Sequence, residues 1–167
     1  MVLIENDTSS PVGAKSTAKY IIDTSAILSQ KSDEQYRRNV YRSLWETIDE
    51  MIRDGEIVTC SEIAQEVQDE ELKDWMKKCQ LVILPIDDDI QNNVRDIVTR
   101  VNKSLIDFRA NKSSGDPFLI ATAKKYNLTV ITEEAEESPK KIPFTCHKMG
   151  INCVNILGFM EENNMAL

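Results

Sequence analysis

Acidic side chains recur where the sequence predicts that buried strands end or helices begin. The clearest case is the stretch KYIIDTSAIL, in which three apolar residues run directly into Asp23. Similar positions on three later segments are acidic: Glu62, Glu66, Asp116, Glu133 and Glu134. Carboxylate oxygens are hard ligands that suit Mg²⁺ or Mn²⁺ rather than softer transition metals. The chemistry to test is therefore metal-assisted catalysis.

Two of these acids also have an ordinary structural interpretation at a helix start. Asp23 could be a turn residue, with Thr24 or Ser25 starting or capping the next helix. Asp116 precedes Pro117, and Asp at the N-cap followed by Pro at the first helical position is a common way to begin a helix. Taken one at a time, these positions do not establish a site.

The remaining acids have structural alternatives too. Glu62 lies three residues after Thr59, which is the spacing of a capping box, so we expect it to have a structural role. Glu66 lies one turn further on, where capping does not require an acid. Glu133 and Glu134 belong to the run EEAEE, and such runs are usually solvated loops.

A cluster of four carboxylates is repulsive unless cations neutralise it. His147 is the chain's one histidine, and nothing around it resembles an activated nucleophile. Bound divalent ions can activate water, hold a phosphate and stabilise a leaving oxygen. Metal-assisted phosphodiester hydrolysis is therefore the reaction that these residue types support best.

Composition is compatible with this chemistry. The 167 residues carry a net charge of −8, which is unfavourable for passive coating of nucleic acid by Lys and Arg. A nucleic-acid substrate thus requires a metal. The four cysteines are widely and irregularly spaced, as expected for reduced thiols in the cytoplasm, and without a CxxC motif a zinc site is not expected. We expect neither a secretory signal nor a membrane span.

The elements that must position the acids alternate along the chain. Residues 1–18 read as a flexible tail, 19–162 as one domain and 163–167 as a second tail. Short apolar runs predict five strands, at 20–22, 56–60, 81–85, 128–132 and 152–156. Helical patterns lie between them, including one from about 33 to 53 and a long one at 88–108. Buried strands separated by helices predict a parallel sheet covered on both faces, a three-layer α/β domain.

Four motifs in order resemble those of PIN-domain nucleases. IIDTSAIL is similar to the first, CSEIAQEV to the second, and GDPFLIATAKKYNLTVIT to the third and fourth together. ELKDWMKK and the C-terminal KKIPFTCHKMGINCVNILGFM resemble an uncharacterised bacterial and archaeal PIN-like subfamily. The resemblance covers about residues 19–160.

The resemblance implies an α/β/α PIN-like fold and a metal-dependent endoribonuclease of the kind found in VapC-like toxins. Carried over by position, the catalytic metal ligands for Mg²⁺ or Mn²⁺ would be Asp23, Glu66, Asp116 and Glu134. Thr24 and Thr132 would support them as hydroxyl neighbours. Many members carry Asp where this chain has Glu134, so Glu133 remains its competitor.

The resemblance also implies partners. RNA would be the substrate, with Lys112, Lys140 and Lys141 as candidate phosphate contacts or, equally, as solvated surface lysines. An antitoxin protein is expected, and a homodimer could form through the helical region around Tyr41, Leu44 and Trp45. Two alternatives stay open: a catalytically inert PIN-like interaction module, and a nuclease of DNA or structured RNA outside toxin–antitoxin systems.

Overall fold

Five parallel strands form one sheet at the centre of the molecule. The computed structural model describes residues 17–105 and 115–165. The strands lie in the order β3-β2-β1-β4-β5, and every pair is parallel. Their bounds are β1 Tyr20–Ile22, β2 Ile57–Cys60, β3 Val82–Leu84, β4 Thr129–Ile131 and β5 Cys153–Val154.

Helices cover both faces of the sheet, which confirms the predicted three-layer α/β/α fold of the PIN-like type. They are α1 Thr24–Leu28, α2 Arg42–Arg53, α3 Ser61–Glu66, α4 Glu70–Lys78, α5 Asp88–Asp96, α6 Asp116–Tyr126, α7 Ile142–Met149 and α8 Ile156–Glu162. A π-helical turn, Ile97–Val101, continues α5 and is followed by a 3₁₀ turn, Lys103–Leu105.

The burial of each strand follows its place in the sheet. The residues of β1 and β2 are all buried, because these strands have neighbours on both sides and helices on both faces. β3 lies at one edge, and its Ile83 is 46% exposed. The core contains the apolar faces of α2 and α6 and includes the fully buried Trp45 and Phe159.

Two helices are shorter than the sequence pattern predicted. The helix expected from about residue 33 begins only at Arg42, because residues 29–40 form turns. The helix expected at 88–108 ends at Asn102, whose backbone is extended. The Asn102 side chain is buried and donates to Pro139 O at 2.6 Å and to Thr145 Oγ1 at 2.8 Å. These tertiary bonds stabilise the extended Asn102 and end the helix there.

The interface suggested for a homodimer is wrong in its central residues. Leu44 and Trp45 are fully buried, and Trp45 Nε1 donates to Tyr36 O at 2.5 Å. Their periodic apolar pattern reflects packing of α2 onto the sheet. Of the three residues suggested for the interface, Tyr41 is partly exposed.

Some expectations fall on residues that the structure does not describe. Most of the expected tail at 1–18 and Lys112 lie outside the described ranges, and the tail and domain boundaries remain predictions. Across residues 17–105 and 115–165, no helix combines the length and the apolar character needed to cross a membrane. All four cysteines lie within these ranges and are free.

Candidate active site

The sheet order places a crevice at the carboxyl ends of β1 and β4. β1 has β2 on one side and β4 on the other. After β1 the chain adds β2 and β3 on one side of the sheet, and it then crosses over to add β4 and β5 on the other side. In open parallel sheets, ligands bind in the crevice at this topological switch point. Asp23 directly follows β1 and Thr132 directly follows β4, which puts both at the crevice.

Asp23 is buried beneath a set of hydroxyl donors. Its side chain is 2% exposed and accepts from Ser25 Oγ at 2.6 Å and from Thr132 Oγ1 at 2.8 Å. Helix α1 begins at Thr24, as one of the two predicted starts, but Asp23 is its N-cap and accepts weakly from Ser25 N at 3.4 Å. The Asp23 carboxylate thus caps α1 as well as lying at the crevice. Burial raises the pKa of Asp23 above its usual range.

Glu66, the last residue of α3, is held at both carboxylate oxygens. Oε1 accepts from Thr24 Oγ1 at 2.8 Å, and Oε2 accepts from Gly115 N at 2.5 Å. A Cβ at position 115 would lie 2.7 Å from Oε2, so Gly115 leaves room for this carboxylate. Thr24, which was predicted to support the acids through its hydroxyl, thus donates to Glu66.

The capping box predicted for Thr59 and Glu62 is not formed. α3 begins at Ser61 with Cys60 as N-cap, and Thr59 is still part of β2. The buried Thr59 hydroxyl donates instead to Ile22 O at 2.9 Å. The sheet uses this hydroxyl to join β2 to β1, and Glu62 is simply an acid in the first turn of α3.

Asp116 is the first residue of α6, and its N-cap is Gly115. The predicted N-cap role of Asp116 is therefore wrong by one position. The pKa of Asp116 is raised to about 8, first by burial and then by the charges of Glu134, Asp23 and Glu66. These four predicted acids thus lie close enough to repel one another.

The structure separates Glu134 from Glu133. Burial and the charges of Asp23 and Glu66 raise the pKa of Glu134, and its Oε1 accepts from Ile142 N at 2.9 Å. Glu133 turns toward the start of α8, where its Oε2 accepts from Ile156 N at 2.6 Å. Glu134 is therefore the fourth acid of the cluster, which we call the acidic quartet: Asp23, Glu66, Asp116 and Glu134.

Ser25 lies at the crevice, although the sequence predicted for it only a role in starting or capping helix α1. Its Oγ donates to Asp23, lies 3.1 Å from Thr132 Oγ1 and accepts from Glu133 N at 3.0 Å. Thr132 Oγ1 also accepts from Glu134 N at 3.1 Å. The two hydroxyls therefore tie the loop after β4 to Asp23. The nearest signal in the sequence was the hydroxyl pair that follows Asp23.

The candidate lysines differ in position. Lys141, the N-cap of α7, is exposed, and its charge acts to lower the pKa values of both Asp116 and Glu134. It therefore lies beside the acidic quartet. Lys140 is exposed on the preceding turn, and Lys112 is outside the described ranges.

The donor chemistry of the acidic quartet fits a divalent cation. Its side chains offer only oxygen. Burial raises the pKa values of Asp23, Asp116 and Glu134, and the charges of neighbouring acids raise those of Asp116 and Glu134 further, so added positive charge would stabilise the ionised forms. Over the two described stretches, no three acidic, His or Cys side chains stand close enough together to coordinate one ion. Hydroxyl and backbone N–H groups of the protein donate hydrogen bonds to Asp23, Glu66 and Glu134.

Several solved structures have a similar fold, and PIN-domain toxin proteins are among them. FitAcB from Neisseria gonorrhoeae is 17% identical, with a TM-score of 0.50 over 83% of this chain and 98% of its own. PAE2754 from Pyrobaculum aerophilum is 12% identical, with a TM-score of 0.50 over 87% and 89%. VapBC2 from Rickettsia felis, solved with a DNA fragment from its promoter, is 14% identical, with a TM-score of 0.51 over 81% and 97%. At these identities the similarity shows the fold, and the fold is PIN-like.

The family is given by the sequence. A family model described as a domain of unknown function, DUF4411, matches residues 20–167, so the chain belongs to that family. The match spans the four motifs and the C-terminal segment on which the resemblance rested. Among curated proteins, none matches the sequence significantly.

Proposed function

We propose that this protein is a metal-dependent endoribonuclease whose acidic quartet holds Mg²⁺ or Mn²⁺. When bound, such an ion supplies an activated water and offsets charge on the phosphate. The proposal rests on one observation above all: burial at the crevice beside β1 and β4, and then the charges of Glu134, Asp23 and Glu66 from separate segments, raise the pKa of Asp116 to about 8. A cluster of carboxylates without a neutralising cation destabilises the folded protein, and a bound metal ion would remove that cost.

The surrounding residues position the acids. Ser25 and Thr132 hold Asp23 from one side, while Thr24 and the Gly115 backbone hold Glu66 from the other. Because these donors are fixed by α1, β4 and α6, the orientation of the carboxylates is set before a substrate arrives. Preorganised groups of this kind need little rearrangement during a reaction.

Lys141 is the protein's own cation at the site. Its charge acts on Asp116 and Glu134, so it lies where the phosphate of a substrate would approach. An exposed lysine there would attract the RNA backbone toward an otherwise acidic crevice. Lys140 and Lys112 stay candidates for contacts further along the strand.

The decisive experiment measures cleavage of a fluorescently labelled single-stranded RNA in Mg²⁺ or Mn²⁺. Asp23→Asn, Glu66→Gln and Asp116→Asn should each lower the rate by on the order of 10²-fold or more, since each removes a charge that holds the metal. The matched control is Glu62→Gln, which changes an acid of the same helix as Glu66 and should stay active. Equal rates in the wild type, Asp23→Asn and Asp116→Asn would show that the acidic quartet is not the site.

We further propose that the nuclease is the toxin of a type II toxin–antitoxin pair and works in the cytoplasm. Support comes from the PIN-domain toxin proteins that share its fold. Induced expression of the wild type should stop bacterial growth and Asp116→Asn should not. Co-expression with the protein encoded next to it should restore growth. Growth arrest by the wild type and Asp116→Asn alike would refute a toxic activity at this site. RNA cleavage by the wild type without growth arrest would place the enzyme outside toxin–antitoxin pairs.

A specific observation favours one alternative, an inert PIN-like interaction module. Within the described chain the acids are not gathered around a common point, and donors of the protein itself bond to Asp23, Glu66 and Glu134. Thermal unfolding with and without millimolar Mn²⁺ distinguishes the two functions. Binding to the folded state stabilises it by about 2.7 kcal/mol when the ion is at 100 times its dissociation constant. A shift in the wild type that Asp116→Asn abolishes supports the enzyme, and no shift in either supports the module.

A further inference from the structure

A cavity of about 340 Å³ opens beside the acidic quartet, between the loop after β4, helix α7 and strand β5. Thr132 and Glu134 line both the cavity and the quartet, so the two spaces are contiguous. The other side chains that matter here are Glu133, Glu136, Pro143 and His147. The function proposed above assigns no role to the cavity.

The volume is that of a small-ligand pocket, near the lower end of the usual range of about 300–1,000 Å³. It suits a ligand the size of one nucleoside and excludes a helix or a folded duplex. The imidazole of His147 contributes a flat surface to its lining, and Pro143 contributes an apolar one. Unstacked RNA bases are commonly held against aromatic side chains, histidine included.

The charge of the lining decides which part of a nucleotide fits. Glu133, Glu134 and Glu136 place three carboxyl groups around the cavity. One oxygen of Glu133 and one of Glu134 already accept from backbone N–H groups, while Glu136 is on the exposed turn. Carboxylates repel a phosphate and also repel a base edge made of carbonyl oxygens. They accept readily from amino groups, as in recognition of the cytosine N4 amine by acidic side chains.

We infer that this cavity, the base pocket, binds one unpaired RNA base that carries an exocyclic amino group, next to the phosphate at the acidic quartet. Cytosine, adenine and guanine present such amines, whereas uracil presents two carbonyl oxygens around its one N–H. Glu136 accepts from the amine, and His147 stacks on the ring. The inference rests on the proposed function, because RNA reaches the base pocket as the substrate of the adjoining site.

The first test compares cleavage patterns on a randomised single-stranded RNA pool. The wild type should disfavour uracil at one fixed position beside the cut. Glu136→Gln should weaken this discrimination by on the order of tenfold, because an amide donor then meets the uracil carbonyl. His147→Ala should slow cleavage at all bases. The matched control is Glu137→Gln, which alters the next acid in the same run and should keep the wild-type pattern.

The second test does not require cleavage. Isotope-labelled, metal-free wild type is titrated with the nucleosides cytidine and uridine, which carry no phosphate, while the NMR signals of His147 and Cys153, both in the lining, are followed. Shifts with cytidine at concentrations at least tenfold lower than with uridine support the base pocket, even if the wild type cuts no RNA and the proposed function fails. Equal shifts with both, shifts with neither, or an unchanged cleavage pattern in Glu136→Gln would overturn the inference.

Discussion

Replacement of Gly115 by alanine tests how Glu66 is positioned. The backbone of Gly115 has φ −75° and ψ −11°, which any residue adopts. If nothing stood near it, Gly115→Ala would stabilise the protein by about 0.4–1 kcal/mol by restricting the unfolded chain. The new Cβ, however, would lie 2.7 Å from Glu66 Oε2 and 2.9 Å from Ile63 Cδ1. Because real Cβ atoms essentially never approach within 3.0 Å, both neighbours must move.

Moving them carries a cost in stability. Overpacking of this kind costs about 1–3 kcal/mol, and the displaced carboxylate also loses its 2.5 Å bond from Gly115 N. The overpacking cost exceeds the entropic gain, so we expect Gly115→Ala to lower the free energy of unfolding by about 1–2 kcal/mol. For a chain of this size that corresponds to a fall in melting temperature of roughly 2–8 °C.

Urea denaturation of a double-mutant cycle isolates the contact. In a Glu66→Ala background the carboxylate is gone and the clash with Ile63 remains, so Gly115→Ala should cost at least 0.5 kcal/mol less, which is the scale of coupling between residues in contact. Gly115→Ala should also weaken the thermal shift caused by Mn²⁺. A stabilised Gly115→Ala variant, or an equal cost in both backgrounds, would refute the positioning role that we give to Gly115.

Two further predictions concern the charge of the acidic quartet and the Ser25 hydroxyl that donates to Asp23. Burial and neighbouring acids raise the pKa of Asp116 to about 8, whereas an unfolded Asp titrates near 4. Between these two pKa values the folded state keeps a proton that the unfolded state has lost, so the free energy of unfolding without metal should fall between about pH 4 and pH 8 and level off above pH 8. Asp116→Asn should flatten this fall. A variant whose stability falls with pH as steeply as that of the wild type would contradict the prediction. Ser25→Ala should lower the free energy of unfolding by about 1–3 kcal/mol, because Asp23 and Glu133 N lose a half-buried hydrogen-bond partner. Ser43→Ala, on the exposed face of α2, should be nearly neutral in the same urea denaturation.

Local signals in the sequence determined much of the fold. Tyr20–Ile22 and Ile57–Cys60 are short apolar runs next to polar residues, and such a run predicts a buried strand wherever it occurs. The same reasoning overestimated two helices, because an apolar period does not show where a helix ends. Asn102 ends one of them through bonds to Pro139 and Thr145, residues that follow it by 37 and 43 positions.

The acidic quartet shows most clearly which features depend on the local sequence and which depend on the tertiary structure. The sequence by itself placed acids where strands end or helices begin, since that depends on neighbouring residues. Only the tertiary structure placed Glu134, and not Glu133, near the other three acids, brought Glu66 into contact with Gly115 and gave Ser25 its partners. These contacts join residues 49 positions apart, as for Glu66 and Gly115, or 109, as for Asp23 and Thr132. Hydrogen bonds require atoms to approach within about 3 Å in a fixed direction, and at such separations only the packed sheet and helices set that distance.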